Sequence, residues 1–113
     1  MPRLSVAIEK VTPISVLVLG MGDDMHTASL FPGAPGLLAA LEADAPALNI
    51  IEPADQPEKR VSLSAQVLNG ALSKHLIITG ESKRAALEKA VHMSPEDAPI
   101  RAVMTDLTVH WAE

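Results

Sequence analysis

Apolar residues arrive in this chain in short blocks, separated by glycine, proline and acidic residues. Residues 14–19, ISVLVL, are mostly β-branched or Leu and predict a strand buried on both faces. Residues 75–79, HLIIT, predict a second buried strand that stops at Gly80, and residues 107–111, LTVHW, predict a last one. Residues 48–51 form a short strand candidate, and residues 60–64 alternate polar and apolar as a half-buried strand does. Helical spacing marks 3–10, 37–42, 65–71 and 81–92. In the last of these Ala85, Leu87, Ala90 and Val91 supply the apolar component, while Glu81–Arg84 and Glu88–His92 can pair on the surface. Residues 26–31 predict the start of a short helix, before Pro32, Gly33, Pro35 and Gly36 interrupt it. A polar, Pro-rich loop is expected from 53 to 57, and Pro95 and Pro99 bound another. Alternating strand and helix signals imply an α/β domain: a mostly parallel sheet flanked by helices, Rossmann-like in layering. No repeat or boundary interrupts residues 1–113, which read as a single domain.

Composition sharpens this picture. The chain is 48% hydrophobic but only 2% aromatic, so its core must be aliphatic, which suits a parallel sheet under helices. A net charge of −5 argues against a nucleic-acid or anionic-membrane surface, and it means that an anionic ligand needs local cations. The absence of cysteine excludes disulfides and thiolate zinc sites. The longest apolar run is about seven residues, against roughly 20 for a membrane span. The first residues lack a basic segment followed by a long apolar one, so no secretory signal is expected. The expectation is a cytoplasmic protein with neither a membrane nor a nucleic-acid partner.

The chemistry concentrates where the first predicted strand ends. Gly20 and Gly22 close a turn that carries Asp23, Asp24 and His26, and ligands of open α/β sheets sit beyond this end of the strands. Gly20-Met21-Gly22 is not a dinucleotide fingerprint, because the third glycine position holds Met25. Asp24 and His26 are two apart and can point the same way. A carboxylate on one imidazole nitrogen fixes the tautomer and makes the other nitrogen more basic, as in acid–base catalysis. The alternatives are a solvated acidic turn or, from Asp23, Asp24 and His26 together, a metal site. Thr27 and Ser29 are weak nucleophile candidates, since no Gly-x-Ser-x-Gly elbow exists, and Thr27 reads better as a helix cap. Arg60 opens a strand after a flexible loop. Lys83 lies in the first turn of a helix, where a cation opposes the dipole and a bound anion would repair the cost. Arg84 is expected to pair with Glu81 or Glu88. His75, His92 and His110 read as structural, and Trp111 as a core or edge plug.

On these residues the chain resembles the 6-phosphogluconolactonase family. That family carries Gly-x-Gly-Glu/Asp-Asp-Gly-His-Thr-Ala-Ser-Leu-Phe-Pro-Gly after a buried strand; here Gly20 to Gly33 reads GMGDDMHTASLFPG. Arg60-Val61-Ser62-Leu63-Ser64 is similar to its Arg-Val-Thr/Ser strand, Thr79-Gly80-Glu81-Ser82-Lys83 to its Thr-Gly-x-x-Lys turn, and Pro99 to Val103 also fits. The resemblance covers nearly all of the chain and corresponds to the C-terminal half of the family's fold, so residues 1–113 are expected to be a partial domain. It implies a carboxylic ester hydrolase that converts 6-phospho-glucono-1,5-lactone to 6-phosphogluconate, the second step of the pentose phosphate pathway. His26 would be the general base and Asp24 its partner. Arg60 and Lys83 would face the sugar phosphate, with Gly22 and Thr27 also at the substrate. No metal or organic cofactor is implied.

The related amino-sugar-phosphate deaminase/isomerases carry an acid after their histidine that residues 27–32 lack, which disfavours that activity. Two departures stand out. Met25 replaces a glycine, at a cost of roughly 1 kcal/mol or more if φ is positive there. The family's Ser-Gly-Gly-Ser/Thr loop and Asp-Glu-Arg motif are not among these residues. A complementing N-terminal half or a homo-oligomer is therefore an expected partner. The competing expectation is a non-catalytic remnant that binds sugar phosphates or oligomerises.

Overall fold

The computed structural model describes residues 2–54 and 57–113, with the side chain of Pro2 excepted. Positions 55 and 56 of the expected 53–57 loop lie outside the described residues, as does Met1. The elements are α1 (Pro2–Val11), β1 (Val16–Leu19), α2 (Leu37–Leu41), β2 (Leu48–Ile51), β3 (Arg60–Leu63), α3 (Ala65–Asn69), β4 (Ser73–Thr79), α4 (Glu81–Ala90), a 3-10 helix (Pro99–Val103) and β5 (Leu107–Ala112). Strands β1, β4 and β5 form an all-parallel sheet in the order β1-β4-β5, and β2 and β3 form a separate antiparallel pair. This is the α/β layering that the hydrophobic pattern predicts.

The core is aliphatic. Leu30, Leu37, Ile51, Leu68, Leu76, Ile100 and Val103 are almost fully buried, whereas Phe31 and Trp111 pack at its margin. All of it lies on one face of the parallel sheet. Leu19, Leu76 and Ile78 are buried there beneath residues of α3, α4 and the 3-10 helix. Val16 and Val18 on the other face are 62% and 58% exposed. The expectation of a first strand buried on both faces is therefore corrected: β1 has one covered face, because the helices that close the core pack on the same side.

Three local readings also change. Residues 26–31 do not start a helix. Thr27 and Leu30 instead bridge a tight turn, with the Leu30 N–H donating to the Thr27 carbonyl at 2.9 Å and Ala28 at φ +51°. Pro99, expected only to bound a loop, opens a 3-10 helix over Pro99–Val103. Pro99 stands at its start, where a missing N–H costs nothing. In β3 the polar residue turns inward: Ser62 is buried and Val61 exposed. The Ser62 Oγ accepts the Ser29 N–H at 3.3 Å and donates to the Leu63 carbonyl at 3.0 Å, so its burial strands no polar atom. Ser64, next in line, caps α3 by accepting the Val67 N–H.

Lys74 is the other buried polar residue of note. It points into the covered face of β4 at 6% exposure. Its Nζ donates to Asn69 Oδ1 at 2.7 Å and to the Val103 carbonyl at 3.1 Å, tying β4 to α3 and to the end of the 3-10 helix. Burial pushes its pKa down, and the Asp106 carboxylate draws it part of the way back. Replacing Lys74 with Met leaves two acceptors unsatisfied. We expect the urea midpoint to fall by an equivalent of about 1–3 kcal/mol, with no loss of secondary structure by circular dichroism.

Candidate functional site

The chain leaves the core at Leu19 and makes a closed turn before it re-enters. The Gly22 N–H donates to the His26 carbonyl at 3.0 Å, and the Met25 N–H donates to the Gly22 carbonyl at 2.9 Å. Met25 takes φ +72°, a left-handed conformation that an L side chain adopts at a cost, yet its side chain is buried in the core. The Met25 carbonyl accepts the Ile100 N–H at 3.1 Å, which fixes the turn to the 3-10 helix. With Met25 pointing inward, Asp24 and His26 on either side of it point outward.

Those two side chains are paired. The His26 Nδ1–H donates to Asp24 Oδ1 at 2.6 Å, and the His26 backbone N–H donates to the same oxygen at 3.1 Å. Partial burial pushes the Asp24 carboxyl up, but the hydrogen bonds and attraction of His26 outweigh it and hold the pKa below the ordinary aspartate value. Phe31 stacks on the imidazole, with ring centres 4.5 Å apart and planes 19° from parallel. Gly22 supplies the remaining room, since a Cβ there would overlap the His26 ring and stand 2.9 Å from Asp24 Oδ1. The imidazole is thus held at one nitrogen, on one face and along one edge, with its Nε2 left as the basic atom.

His26, Asp24, Asp23 and Phe31 line a cavity of about 490 Å³ that Pro53 and Ala54 border from the far side. A larger cleft of about 710 Å³ opens between α2 and α3, lined by Leu41, Gln66 and Asn69, and holds no acid–histidine pair. Chemistry rather than volume marks the site.

The other expected site residues are placed differently. Thr27 was expected at the substrate or as a helix cap, but it is 1% exposed and its Oγ donates to the Gly20 carbonyl at 2.8 Å. It braces the base of the turn. Arg60 is exposed at the start of β3, opposite Ile51 and on the same face as Ser62. Lys83 is half-buried in the first turn of α4. Neither lines the cavity. Asp23 does not join Asp24 and His26 around a common point, because its Oδ1 accepts the Ser82 Oγ–H at 3.1 Å. Among the described residues, no group of three metal-ligating side chains forms.

That Ser82 contact brings the α4 turn against the one that carries Asp24 and His26. A second clamp holds it from below: Trp111 Nε1–H donates to the Gly80 carbonyl at 2.8 Å, and the Arg84 guanidinium lies 4.7 Å over the indole while bonding Glu88. Gly80 takes φ +88° at the head of α4, a conformation that glycine reaches freely. Phe31, Ser82 and Trp111 were not assigned these contacts from sequence. Phe31 alone left a signal, as the one phenylalanine of the chain and five residues from His26.

With this geometry in hand, the chain can be set beside known proteins. Residues 2–111 match the family described as glucosamine-6-phosphate isomerases/6-phosphogluconolactonase. A 6-phosphogluconolactonase of Pseudomonas aeruginosa is 45% identical over 103 residues, covering 88% of this chain and 43% of that protein. The human 6-phosphogluconolactonase is 34% identical, covering 85% and 36%. The crystal structure of a 6-phosphogluconolactonase from Shewanella baltica superposes with a TM-score of 0.85 at 31% identity, over 97% of this chain and 51% of that one. The fold is thus that of the phosphosugar isomerase and lactonase class. The chain belongs to the glucosamine-6-phosphate isomerase/6-phosphogluconolactonase family, and it spans about half the length of the relatives it matches.

Two outcomes check the geometry. In Met25→Gly the left-handed strain is relieved, worth roughly 1–2 kcal/mol. The buried thioether, worth about 1.5–3 kcal/mol, is lost, and glycine adds about 0.5–1 kcal/mol of chain entropy to the unfolded state. The variant should be less stable by up to about 3 kcal/mol in chemical denaturation; a more stable variant would show that strain dominates. Second, carbon-detected NMR should find Asp24 titrating below the ordinary aspartate value, and His26→Ala should move it up. Because the folded pKa is the lower one, this carboxylate adds stability above its unfolded pKa and loses it as pH falls through the folded value.

Proposed function

We propose that this chain carries the catalytic turn of a 6-phosphogluconolactonase and acts in hydrolysis of 6-phospho-glucono-1,5-lactone to 6-phosphogluconate. One observation carries the reading: the imidazole of His26, held by Asp24 at 2.6 Å and stacked on Phe31, faces a cavity wide enough for a single sugar. In the proposed reaction His26 Nε2 takes a proton from water as the water oxygen attacks the lactone carbonyl. Asp24 stabilises the imidazolium that forms. The tetrahedral intermediate expels the ring oxygen, and the imidazolium returns its proton there. The C–O bond of the ring breaks, a carboxylic acid and a hydroxyl result, and His26 is neutral again; the acid then releases its proton to solvent as a carboxylate.

Lys83, at the N-terminus of α4, and Arg60, at the start of β3, are the proposed contacts for the phosphate. In this reading residues 1–113 are part of one domain. The rest of the fold completes the phosphate cradle over the cavity, and the protein works in the cytoplasm, where phosphorylated sugars are retained. Residues 27–32 supply no carboxylate beside His26, which favours the lactonase over the isomerase branch.

The test is lactone hydrolysis measured against the spontaneous rate. General-base catalysis is worth about 10²–10⁴-fold, so His26→Ala should lose that factor while Ser29→Ala stays near wild type. A wild-type rate equal to the spontaneous one removes the catalytic claim. A second reading is favoured by the absence of the family's Ser-Gly-Gly-Ser/Thr loop from these residues, which leaves the turn without a complete site: a module that holds 6-phosphogluconate without turning the lactone over. Calorimetry with 6-phosphogluconate, run beside the rate assay, separates the two.

A further inference from the structure

Two separate parts of the chain build the two turns of the proposed site. The turn that carries His26 closes on itself through Gly22 and Met25, and the Ile100 N–H fixes it to the 3-10 helix. The turn at the head of α4 is fixed to β5. There the Gly80 N–H donates to the Ala112 carbonyl at 2.9 Å, and the Trp111 indole donates to the Gly80 carbonyl. Across the gap, among the described residues, one hydrogen bond joins the turns. It runs from the Ser82 hydroxyl to Asp23 Oδ1 at 3.1 Å, between residues 59 positions apart.

Each end of that bond is covalently next to a site residue. Asp23 precedes Asp24, which holds His26, and it lines the same cavity; Ser82 precedes Lys83. The chemistry suits a strut. Gly80 stands at the N-cap of α4 and brings no side chain to cap it. The first turn of a helix carries a partial positive charge that favours a nearby anion, and the Asp23 carboxylate reaches that end from the other turn. A helix head that hangs on a glycine at φ +88° also gains most from an outside hold.

We propose that Ser82 and Asp23 are positioning residues, a strut that sets the distance between the base at His26 and the phosphate site at the head of α4; this rests on the lactonase reading of His26 and Lys83. The phosphate and the reacting carbonyl lie at opposite ends of the substrate's carbon chain. A substrate anchored by its phosphate meets His26 at whatever separation the protein sets. A misplacement of about 1 Å can cost on the order of 10²-fold in rate. A substrate without the phosphate is not anchored at α4, so the strut has nothing to set for it.

The probes are 6-phospho-glucono-1,5-lactone and unphosphorylated glucono-1,5-lactone, each measured against its spontaneous rate. Ser82→Ala should lower kcat/KM for the phosphorylated lactone by about threefold to tenfold, the range of one hydrogen bond. The unphosphorylated lactone should change by less than about twofold, the scatter of uncoupled sites. Asp23→Ala should repeat this pattern, the double variant should lose no more than either single one, and Ser82→Thr, which keeps the hydroxyl, should restore the rate. Ser94→Ala removes an exposed Ser94–Asp97 bond of 3.2 Å outside the cavity lining and should alter neither substrate. Equal losses on the two lactones would mark a merely structural contact and overturn the strut, as would no loss or additive losses in the double variant. A wild type that turns over neither lactone removes the catalytic reading alone. The strut is then read by calorimetry, where Ser82→Ala should weaken 6-phosphogluconate by about threefold or more and leave gluconate unchanged. Unaltered affinity for 6-phosphogluconate in Ser82→Ala, or no binding of it by the wild type, overturns the strut as well.

Discussion

The inward-pointing side chain of Met25 is the constraint on which the site depends. It occupies a backbone conformation that most residues avoid, and it is held there by burial and by the Ile100 N–H on its carbonyl. A residue anchored in the core forces its two neighbours out of it. Asp24 and His26 thereby reach the same side of the chain, where one oxygen takes both the ring and the backbone hydrogen of His26. In a flexible loop the same pair would be one arrangement among many. Here the core selects it, at a local strain of roughly 1–2 kcal/mol that the burial of the thioether offsets.

The sheet supplies the second half of the geometry. Parallel pairing sets Leu19 beside Leu76, so β4 runs three residues beyond the end of β1 before it turns at Gly80. That overhang is roughly 10 Å at the rise of an extended strand. It lifts the head of α4 to the height of the Asp23 side chain, and Ser82 closes the gap. Residues 59 positions apart become neighbours because two strands of unequal length share a register. The 3-10 helix performs a similar service from below, through a backbone contact that no side-chain pattern encodes.

What could be read from the sequence follows the same division. The strand blocks 14–19, 48–51, 60–64, 75–79 and 107–111 each correspond to a strand, because β-branched runs between turn residues have few other outcomes. Asp24 and His26 were legible because two residues of spacing fix their relation locally. The readings that changed were settled by tertiary contacts. Residues 26–31 have helical composition, but the Thr27 hydroxyl and the Ser29 amide find partners in Gly20 and Ser62, and no helix could satisfy them that way. Burial of β1 on both faces was a statement about what covers it, and hydrophobicity alone does not say which faces this chain itself covers. Ser82, Trp111 and Lys74 act across 29 or more residues of sequence, beyond the reach of any periodicity.

Trp111 has a consequence of a different kind. It is the only tryptophan of the chain, and its indole is hydrogen-bonded to the Gly80 carbonyl and covered by the Arg84 guanidinium. Indole emission responds to hydrogen bonding at its nitrogen and to a charge over its ring. The fold has therefore placed its one intrinsic fluorophore on the hinge where β4 becomes α4. Light emitted from that residue reports on the glycine turn beside the Asp24–His26 loop, with no label and no background from a second indole.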